Sequence, residues 1–307
     1  MDVSVVVPTL NSRDRLAACL DALAAVSPTE IIVVNGPSVD GTSGMVRDRA
    51  DVDVLIELDD RNVNVARNAG LDRARSDVVA FLDHELLVQP GWLDALREGI
   101  AEADAVTGPV RKRLDVGWTA EGVEERDIRG RTVSYFNAGN VALRREALEA
   151  IDGFDEYLVV GGARDAAHRL AGQEFEVAWA PEMTVALEGE FAGPRPTVRA
   201  DGGSSRDWTW RYRSLAYRLV KNYGVRPSVA FRLVRHAVGD AAASLREVAT
   251  GEGVPSRWFG NGRDVVSGLV RGIRDGQQAR LRDRSPRRNP NGWSSRADRA
   301  VSAFDRR

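Results

Sequence analysis

Short runs of apolar, β-branched residues alternate with segments of helical periodicity through the first third of the chain. The first run, Ser4–Pro8, is followed by Asn11–Ala25, in which Leu16, Leu20 and Leu23 recur every three or four residues. This spacing puts the leucines on one face of a helix, whereas an unbroken apolar run is typical of a strand buried on both faces. The alternation continues, with strands predicted at Glu30–Asn35, Val52–Leu58 and Asp77–Asp83 and helices at Asp40–Ala50, Asn64–Ala74 and Pro90–Glu102.

Buried strands separated by helices predict an α/β fold, with a doubly wound, mostly parallel sheet covered by helices on both faces. Such sheets bind ligands beyond the carboxyl ends of their strands. Polar and turn-forming residues concentrate at those ends, in Pro8–Asn11, in Asn35–Ser38 and in Asp83–Glu85. We therefore expect the functional site at this edge of the sheet.

The pattern changes twice further along the chain. Between about residues 104 and 190 the predicted strands are shorter, and residues 193–206 are rich in Gly, Pro and Ser, as linkers are. Helical periodicity returns over residues 207–284, and residues 285–307 are polar and rich in arginine. We expect a domain at residues 1–192, a linker at 193–206, a helical extension at 207–284 and a flexible tail at 285–307.

Charge is distributed unevenly, although the formal net charge is only −2. Residues 1–190 carry a net charge of −16 and residues 191–307 a net charge of +14. In the basic part, arginines alternate with aromatic side chains over Trp208–Lys221, and Phe231–Val238 repeats the mixture. Helices of this composition either lie on an anionic membrane surface or pack on the acidic domain. No nucleic-acid-binding motif accompanies the charge, so we expect no nucleic-acid partner.

Cysteine content and hydropathy bear on the cellular location. The single cysteine, Cys19, excludes an internal disulfide, and its place on an apolar helical face predicts a core residue. No apolar run approaches the ~20 residues that a membrane-spanning helix needs, and no basic leader precedes the first strand. We expect a cytoplasmic protein, peripheral to the inner face of the cell membrane.

Two carboxylates follow the strand predicted at Asp77–Asp83. Asp83 and Glu85 are two residues apart, and alternate residues of an extended segment point the same way, so the two carboxylates can converge. Paired oxygen ligands suit Mg²⁺ or Mn²⁺. The pair therefore predicts a divalent-metal site, and the alternative is two solvated loop acids.

Further short motifs stand in order along the first half of the chain. They are Val5–Asn11, Ile32–Asn35, Ser38–Thr42, Ala66–Gly70, Phe81–Glu85, Asn137–Arg145 and Gly153–Glu156. Together they resemble the motifs of the family-two glycosyltransferases, which have the GT-A fold. The resemblance covers about residues 1–190 and implies a GT-A domain that binds a nucleotide-sugar donor. The helical extension predicted at 207–284 follows this domain.

The resemblance assigns the nucleotide to one group of residues. Pro8, Thr9 and Asn11 would line its base and ribose, and Arg67 would reach it from the third helix. The family usually has a carboxylate after the second strand, whereas this chain has Asn35, which offers both a donor and an acceptor. The identity of the base therefore stays open. Thr9 and Asn11 could instead cap the following helix, and Arg67 could pair with a neighbouring acid.

The sugar and the diphosphate are assigned to a second group. Asp83 would contact the ribose or a Mn²⁺ or Mg²⁺ ion, and Glu85 would bind that ion. Gly139 and Asn140 would lie beneath the donor sugar, because glycine lets a backbone approach a ligand closely. An ordinary strand turn is the alternative at these two positions.

The acceptor side departs from the family pattern. An acidic Glu-Asp pair normally precedes an Arg-Leu pair on one helix and supplies the base that takes a proton from the acceptor hydroxyl. Aligned on Arg169-Leu170, those positions hold Gly162 and Ala163, and Asp165 is the nearest acid. We expect Asp165 to be the catalytic base or, alternatively, to cap the start of its helix.

These expectations combine into one function and two rivals. The chain would move a sugar, with inversion and a divalent metal, from a nucleoside diphosphate sugar to an acceptor hydroxyl on a glycan or a lipid-linked acceptor. The missing acid at Ala163 favours the first rival, a catalytically impaired relative that binds a nucleotide-sugar or a partner. A nucleotidyltransferase fits less well, because Pro8–Ser12 replaces the Gly-rich basic loop that usually follows the first strand of such enzymes.

Overall fold

The computed structural model describes residues 1–114, 117–119, 124–128, 130–187, 208–249 and 255–307. These residues form two compact units. Within the described ranges, the first unit comprises residues 1–157, 162–187 and 291–307, and the second comprises residues 158–161 and 208–290. The linker expected at 193–206 lies outside the described residues.

The strands of the first unit are short. In chain order they are β1 (Val3–Thr9), β2 (Glu30–Asn35), β3 (Val54–Glu57), β4 (Val78–Leu82), β5 (Leu87–Val88), β6 (Ala105–Thr107), β7 (Val110–Leu114), β8 (Gly117–Thr119), β9 (Glu124–Asp127), β10 (Thr132–Tyr135), β11 (Asn140–Arg144), β12 (Val177–Trp179), β13 (Val185–Leu187) and β14 (Ser302–Asp305).

The helices of the first unit are α1 (Arg13–Val26), α2 (Thr42–Arg47), α3 (Val63–Arg73), α4 (Trp92–Glu102), α5 (Arg145–Ala150) and α6 (Gly162–Gly172). Those of the second unit are α7 (Trp208–Tyr223), α8 (Pro227–Ala249) and α9 (Pro255–Arg282). The helices predicted from periodicity are all present, with ends that differ by a few residues.

Eight of the described strands form one sheet in the order β12-β6-β11-β4-β1-β2-β3-β14. β1 pairs in parallel with β2 and β4, and β2 pairs in parallel with β3. β11 runs antiparallel between β4 and β6. All residues of β1 and β2 are buried, as expected for strands covered on both faces. The prediction of an α/β fold with a mostly parallel sheet is confirmed.

The core covers both faces of this sheet. On one face, alternate residues of β1 pack with α1 and α4. Cys19 belongs to that cluster, and burial raises the pKa of its thiol, so it is a core residue as predicted. On the other face, α3 lies so close to β1 that a Cβ atom at Gly70 would be 2.3 Å from Val6 Cγ1. Glycine is therefore needed at position 70 for α3 to pack on the sheet.

Close helix packing also shapes the second unit. Cβ atoms at Gly268, Gly272 and Gly276 would lie within 2.6 Å of carbonyl oxygens of α7, so this glycine stripe lets α9 approach the α7 backbone. The Arg213 guanidinium of α7 pairs with Asp275 of α9 at 2.8 Å. No helix in the described part of the chain is long and apolar enough to cross a membrane.

The C-terminal residues are ordered, which corrects the expectation of a flexible tail at 285–307. β14 pairs antiparallel with β3, with Ser302 opposite Glu57 and Asp305 opposite Val54. The pairing satisfies the outer backbone edge of β3, which would otherwise be exposed. Four arginines of the expected tail bind acids or carbonyl groups of the first unit: Arg296, Arg299, Arg306 and Arg307.

Arg299 is the anchor of this C-terminal segment. Its side chain is 1% exposed, and its Nε atom donates to Glu156 Oε1 at 2.5 Å. Its Nη1 atom lies 3.3 Å from Asp72 Oδ2 on α3. Glu156 also pairs with Arg296, whose side chain is 40% exposed. The same carboxylate thus has one buried and one exposed arginine partner.

The two arginines make a matched test of this anchor. We predict that Arg299→Met lowers the free energy of unfolding by about 3 kcal/mol, because it leaves the largely buried Glu156 and the partly exposed Asp72 without their buried partner. Arg296→Met should cost less than about 1 kcal/mol, since solvent screens an exposed pair. Urea unfolding of the intact chain measures both. Equal effects of the two substitutions would show that the C-terminal segment is not held by Arg299.

Candidate functional site

The strand register brings the predicted site residues to one edge of the sheet. β1 ends at Thr9, which lies opposite Asn35 at the end of β2. β4 ends at Leu82, immediately before Asp83, and Leu82 lies opposite Asn140 at the start of the antiparallel β11. The carboxyl ends of β1, β2 and β4 and the beginning of β11 therefore meet at this edge, as predicted from the polar strand ends.

The loops after β1 and β2 are tied together by side chains. Asn11 has a left-handed backbone (φ 48°), which asparagine tolerates better than most residues, and its Oδ1 atom accepts the Val39 N–H at 2.9 Å. Ser38 Oγ accepts the Asn11 N–H and donates to Asn35 Oδ1 at 2.6 Å. Asp40, not Thr9 or Asn11, accepts the Arg13 N–H at the start of α1. Asn11 therefore does not cap α1 in the structure.

Asn35 and Thr9 differ in what they offer a ligand. Asn35 is 1% exposed, and both ends of its amide already have partners, because its Nδ2 atom donates to Ser43 Oγ at 2.8 Å. Thr9 Oγ1, in contrast, is buried and has no partner among the described residues. A buried hydroxyl without a partner costs free energy, which a bound ligand would recover. Pro8 is buried beside it, and its carbonyl oxygen lies 3.1 Å from His84 Nδ1.

Arg67 and Asp83 form the charged centre of this edge. The Arg67 Nη2 atom lies 3.4 Å from Asp83 Oδ1, and the Arg67 side chain is 8% exposed against 38% for Asp83. Burial lowers the pKa of Arg67, and the Asp83 carboxylate acts in the opposite direction. The Arg67 guanidinium also lies 5.3 Å from the Phe154 ring. The pairing of Arg67 with a neighbouring acid is therefore present in the structure. That acid is Asp83, which is itself predicted to bind the nucleotide-sugar donor.

The two carboxylates predicted to bind metal have the chemistry to hold a divalent ion together with a substrate. Glu85, two residues beyond Asp83, pairs with Arg15 at 3.4 Å. Within the described ranges, no cluster of three or more His, Cys, Asp or Glu side chains could hold a metal by itself. Mg²⁺ is commonly held by one or two carboxylates together with substrate phosphates. Asp83 and Glu85 match that arrangement, and they do not match an all-protein cage.

Gly139 and Asn140 have different roles in the fold. A Cβ atom at Gly139 would lie 2.3 Å from Asp83 Oδ2, so only glycine fits beside the carboxylate in this position. Asn140 is completely buried, with its Oδ1 atom accepting from Trp92 Nε1 and its Nδ2 atom donating to the Met183 carbonyl. The structure thus places Gly139 against Asp83, whereas the Asn140 side chain is committed to the core.

A polar face of α3 holds this centre against the loop at residues 153–157. Asn68 Oδ1 accepts the Phe154 N–H at 2.9 Å, and Asn68 Nδ2 donates to the Phe154 carbonyl at 2.9 Å. Asn68 Nδ2 also donates to Glu156 Oε1, the carboxylate that Arg299 binds. These bonds fix Phe154 under Arg67. They join two motifs that are far apart in the sequence, Ala66–Gly70 and Gly153–Glu156.

Asp165 is closed off from solvent in the structure. Its side chain is fully buried, and its Oδ2 atom accepts from Arg169 Nε at 2.8 Å, one helical turn along α6. Arg169 in turn donates to the carbonyls of Ile151 and Gly153. An acceptor hydroxyl cannot contact Asp165 unless α6 moves. Its role as the catalytic base stays a prediction, and this arrangement is that of a structural ion pair.

A cavity of about 150 Å³ lies beside the donor edge, which is the edge of the sheet where the carboxyl ends of β1, β2 and β4 meet. No motif of the sequence predicts this cavity. Its wall includes Glu124 of β9 and Arg164 of α6, whose Nη2 atom lies 2.6 Å from Glu124 Oε2. The hydrogen bond from Arg164 lowers the pKa of Glu124, so this carboxylate is ionised at neutral pH. The two residues are 40 positions apart, so no local spacing could have joined them.

Comparisons with known proteins identify the family of the first half of the chain. Residues 4–152 match the model of glycosyl transferase family 2. This part of the chain belongs to glycosyl transferase family 2. Glycosyltransferase AglE of Haloferax volcanii is 27% identical over 183 residues, which cover 52% of this chain and 58% of that protein. The chain thus matches a little over half of the length of that relative.

Solved structures share the fold of the family 2 domain. The mannosyltransferase PcManGT from Pyrobaculum calidifontis, in complex with GDP-Man and Mn²⁺, aligns with a TM-score of 0.56 at 19% identity over 89% of this chain and 87% of that one. TarS 1-349 of S. aureus, in complex with UDP-GlcNAc, aligns with a TM-score of 0.60 at 17% identity over 92% of each chain. At these identities the likeness is one of fold.

The contact between Gly139 and Asp83 can be tested directly in the family 2 domain. We predict that Gly139→Ala weakens the binding of UDP or GDP with Mn²⁺ about tenfold, or ~1.4 kcal/mol, because the added methyl group displaces the Asp83 carboxylate. Isothermal titration calorimetry measures the affinity. Gly44→Ala on α2 is the control, since a Cβ atom there has no neighbour within 4 Å. Unchanged affinity in Gly139→Ala would remove Asp83 from the nucleotide site.

Proposed function

We propose that this protein is an inverting glycosyltransferase that moves a sugar from a nucleoside diphosphate sugar to an acceptor hydroxyl, on a glycan or on a lipid-linked acceptor. The proposal is supported most by one observation. Arg67, Asp83 and Gly139 are in contact at the carboxyl edge of a family 2 sheet, where such sheets bind ligands. Both neighbouring structures, PcManGT and TarS 1-349, were solved with a nucleotide-sugar.

The chain's own groups would act on the donor in three ways. Thr9 Oγ1 would gain a hydrogen-bond partner from the nucleoside, since it is buried without one among the described residues. Arg67, held over Phe154, would counter the charge of the diphosphate and keep Asp83 oriented. Gly139 would allow the donor sugar to lie close to the backbone. Pro8 and Asn11 would complete the wall around the base and the ribose.

A divalent ion, Mn²⁺ or Mg²⁺, held by Asp83 and Glu85 would neutralise the leaving diphosphate as a Lewis acid. PcManGT was solved with Mn²⁺ beside its GDP-Man. Without such an ion, two carboxylates next to a diphosphate would repel it, since like charges a few ångströms apart are unfavourable. We therefore expect donor binding to depend on the metal more strongly than on any single hydrogen bond.

We predict that UDP-GlcNAc or GDP-Man binds at least tenfold more tightly with Mn²⁺ than with EDTA, and that Asp83→Asn and Glu85→Gln each remove most of that difference. Calorimetry with each donor measures it. Asp94→Asn is the control, because Asp94 is a carboxylate of α4 with an 80% exposed side chain that pairs with Arg97 of the same helix. Equal affinity with metal and with EDTA would reject the metal site.

A catalytically impaired relative that only binds a nucleotide-sugar or a partner is the second candidate. It is favoured by Ala163 at the usual acid position and by the burial of Asp165 against Arg169. The two candidates differ in one measurement. The enzyme releases nucleoside diphosphate from a bound donor over time, whereas the binding module leaves the donor intact.

We also propose that α8 binds an anionic membrane surface, such as the inner face of the cell membrane. Phe231, Val234, Val238 and Leu245 lie within about 60° of one another around α8, by its 100° rotation per residue, and each is more than half exposed. The opposite face is buried through Val229 and Leu233. An apolar stripe of this kind would enter the boundary between headgroups and acyl chains.

Charge favours a membrane as the occupant of this stripe. Arg235 follows Phe231 by four residues and is exposed, so it lies beside the stripe where it would meet anionic headgroups. Arg232 lies about 60° further around the helix, beyond Arg235, and is partly exposed. A lipid-linked acceptor would be found at the same surface.

We predict that the protein sediments with vesicles of phosphatidylglycerol and phosphatidylcholine at low salt, and that Phe231→Glu with Val238→Glu abolishes this binding. Arg232→Gln with Arg235→Gln should weaken it and reduce its dependence on salt. Val301→Glu is the control, because Val301 is 69% exposed but lies outside α8. Failure of the wild type to sediment would reject the proposal. Dimerisation that the same glutamates abolish would assign the stripe to a second copy.

A further inference from the structure

The cavity beside the donor edge has the size and lining of a binding site. Its volume of about 150 Å³ is roughly ten times the 10–15 Å³ that one water needs. Tyr135, Phe136 and Trp179 supply aromatic surface, while Glu124 and Arg164 supply opposite charges. Ring faces together with charged hydrogen-bonding groups suit a ligand that has apolar C–H faces and hydroxyl edges. Sugars and other cyclic polyols have that chemistry.

The cavity is connected to the donor edge through one short turn. Asn137 lines the cavity, and its Oδ1 atom accepts the Gly139 N–H at 2.9 Å. Gly139 in turn lies against Asp83, whose N–H donates to the Gly139 carbonyl at 3.1 Å. A group in the cavity would therefore be a near neighbour of a sugar bound over Gly139. This is the relation that an acceptor must have to a donor.

Glu124 is the carboxylate of this cavity. Its Oε2 atom lies 2.6 Å from Arg164 Nη2 and its Oε1 atom lies 3.1 Å from Arg126 Nε. The Glu124 side chain is nevertheless 40% exposed, so a ligand can reach it. Arg164 is itself oriented by the Tyr135 ring, which lies 4.5 Å from its guanidinium carbon. Glu124 is therefore accessible, ionised and held in place, which Asp165 is not.

The position of Arg164 in the chain relates Glu124 to the end of α6 where the family usually carries its catalytic acid. Arg164 follows Ala163, the position where family 2 enzymes usually carry the acid that serves as base. A helix turns by about 100° per residue, so neighbouring positions of α6 face different surroundings. Arg164 reaches the cavity, whereas Asp165, the next residue, is buried against Arg169. Glu124 thus brings a carboxylate to this end of α6 from the facing strand β9.

We propose that the cavity is the acceptor subsite for a sugar or cyclic polyol, and that Glu124 is the general base that replaces the acid missing at Ala163. This inference rests on the proposed function. In the transfer step, the acceptor O–H proton passes to the Glu124 carboxylate while the acceptor oxygen forms a bond to the anomeric carbon. The bond from that carbon to the diphosphate oxygen breaks, and the nucleoside diphosphate leaves with the electron pair. Glu124 then returns the proton to solvent.

The test compares three carboxylates with isosteric amides. Glu124→Gln should lower the rate of donor turnover by about 10²–10⁴-fold, the usual effect of removing a general base. Its donor affinity and melting temperature should stay at the wild-type values. Glu125→Gln is the matched control, since Glu125 is the next residue of β9 and its carboxylate instead accepts from Ser134. Asp165→Asn should lower the melting temperature, because it breaks a fully buried pair.

Donor hydrolysis and glycoside binding are measured separately, so that two failures can be told apart. Release of UDP from UDP-GlcNAc and of GDP from GDP-Man, each with Mn²⁺, gives turnover with water as the acceptor. Saturation-transfer NMR with methyl α-mannoside and methyl β-glucoside reports on the cavity without turnover. The glycoside signal should fall at least fivefold in Trp179→Ala and stay unchanged in Glu125→Gln.

The outcomes separate the inference from the proposed function. Wild-type turnover in Glu124→Gln would overturn the role of Glu124, and so would a turnover loss in Asp165→Asn at an unchanged melting temperature. Glycoside binding that is absent, or that survives Trp179→Ala, would overturn the subsite. If the wild type binds donor and glycoside but never releases nucleoside diphosphate, the proposed function and the base fail together and the subsite stands.

Discussion

The donor edge depends on the buried polar contact between α3 and the loop at residues 153–157. Asn68 bonds both backbone groups of Phe154, and this contact holds the Phe154 ring beside Arg67. Buried polar groups must find partners, so the contact either forms completely or costs several hydrogen bonds. Arg299 extends it by binding both Glu156 and Asp72. A residue near the chain's end thereby belongs to the support of a site built from its first half.

The acids proposed for the donor site and for the neighbouring cavity divide into structural and accessible groups. Asp165 is bound by Arg169 and fully buried, whereas Asp83 and Glu124 keep exposed surface although each has an arginine partner. An exposed ion pair is weak and can exchange its partner for a ligand, while a buried pair cannot without exposing a charge. The accessible pairs are therefore where binding and proton transfer are expected. The lost acid of α6 does not by itself make the site inert.

Much of the fold and part of the candidate site could be predicted from the sequence. The apolar strands and the polar residues after them predicted the sheet and its binding edge, because both signals are local in the chain. The tail at 285–307 was misjudged because its arginines looked solvated, although Arg299 is buried against acids more than a hundred residues away in sequence. The pairing of Glu124 with Arg164 had no local signal either. Burial of Asp165 and Asn140 depends on packing, which residue identity does not reveal.

We infer that the carboxyl edge of this sheet holds a donor whose sugar is transferred with inversion. A proton NMR time course of the wild-type protein with UDP-GlcNAc or GDP-Man and Mn²⁺ tests this inference. We expect steady release of nucleoside diphosphate and, at early times, an anomeric signal of the configuration opposite to that of the donor. A donor that stays intact while bound, or a first product that retains the donor's configuration, would contradict it.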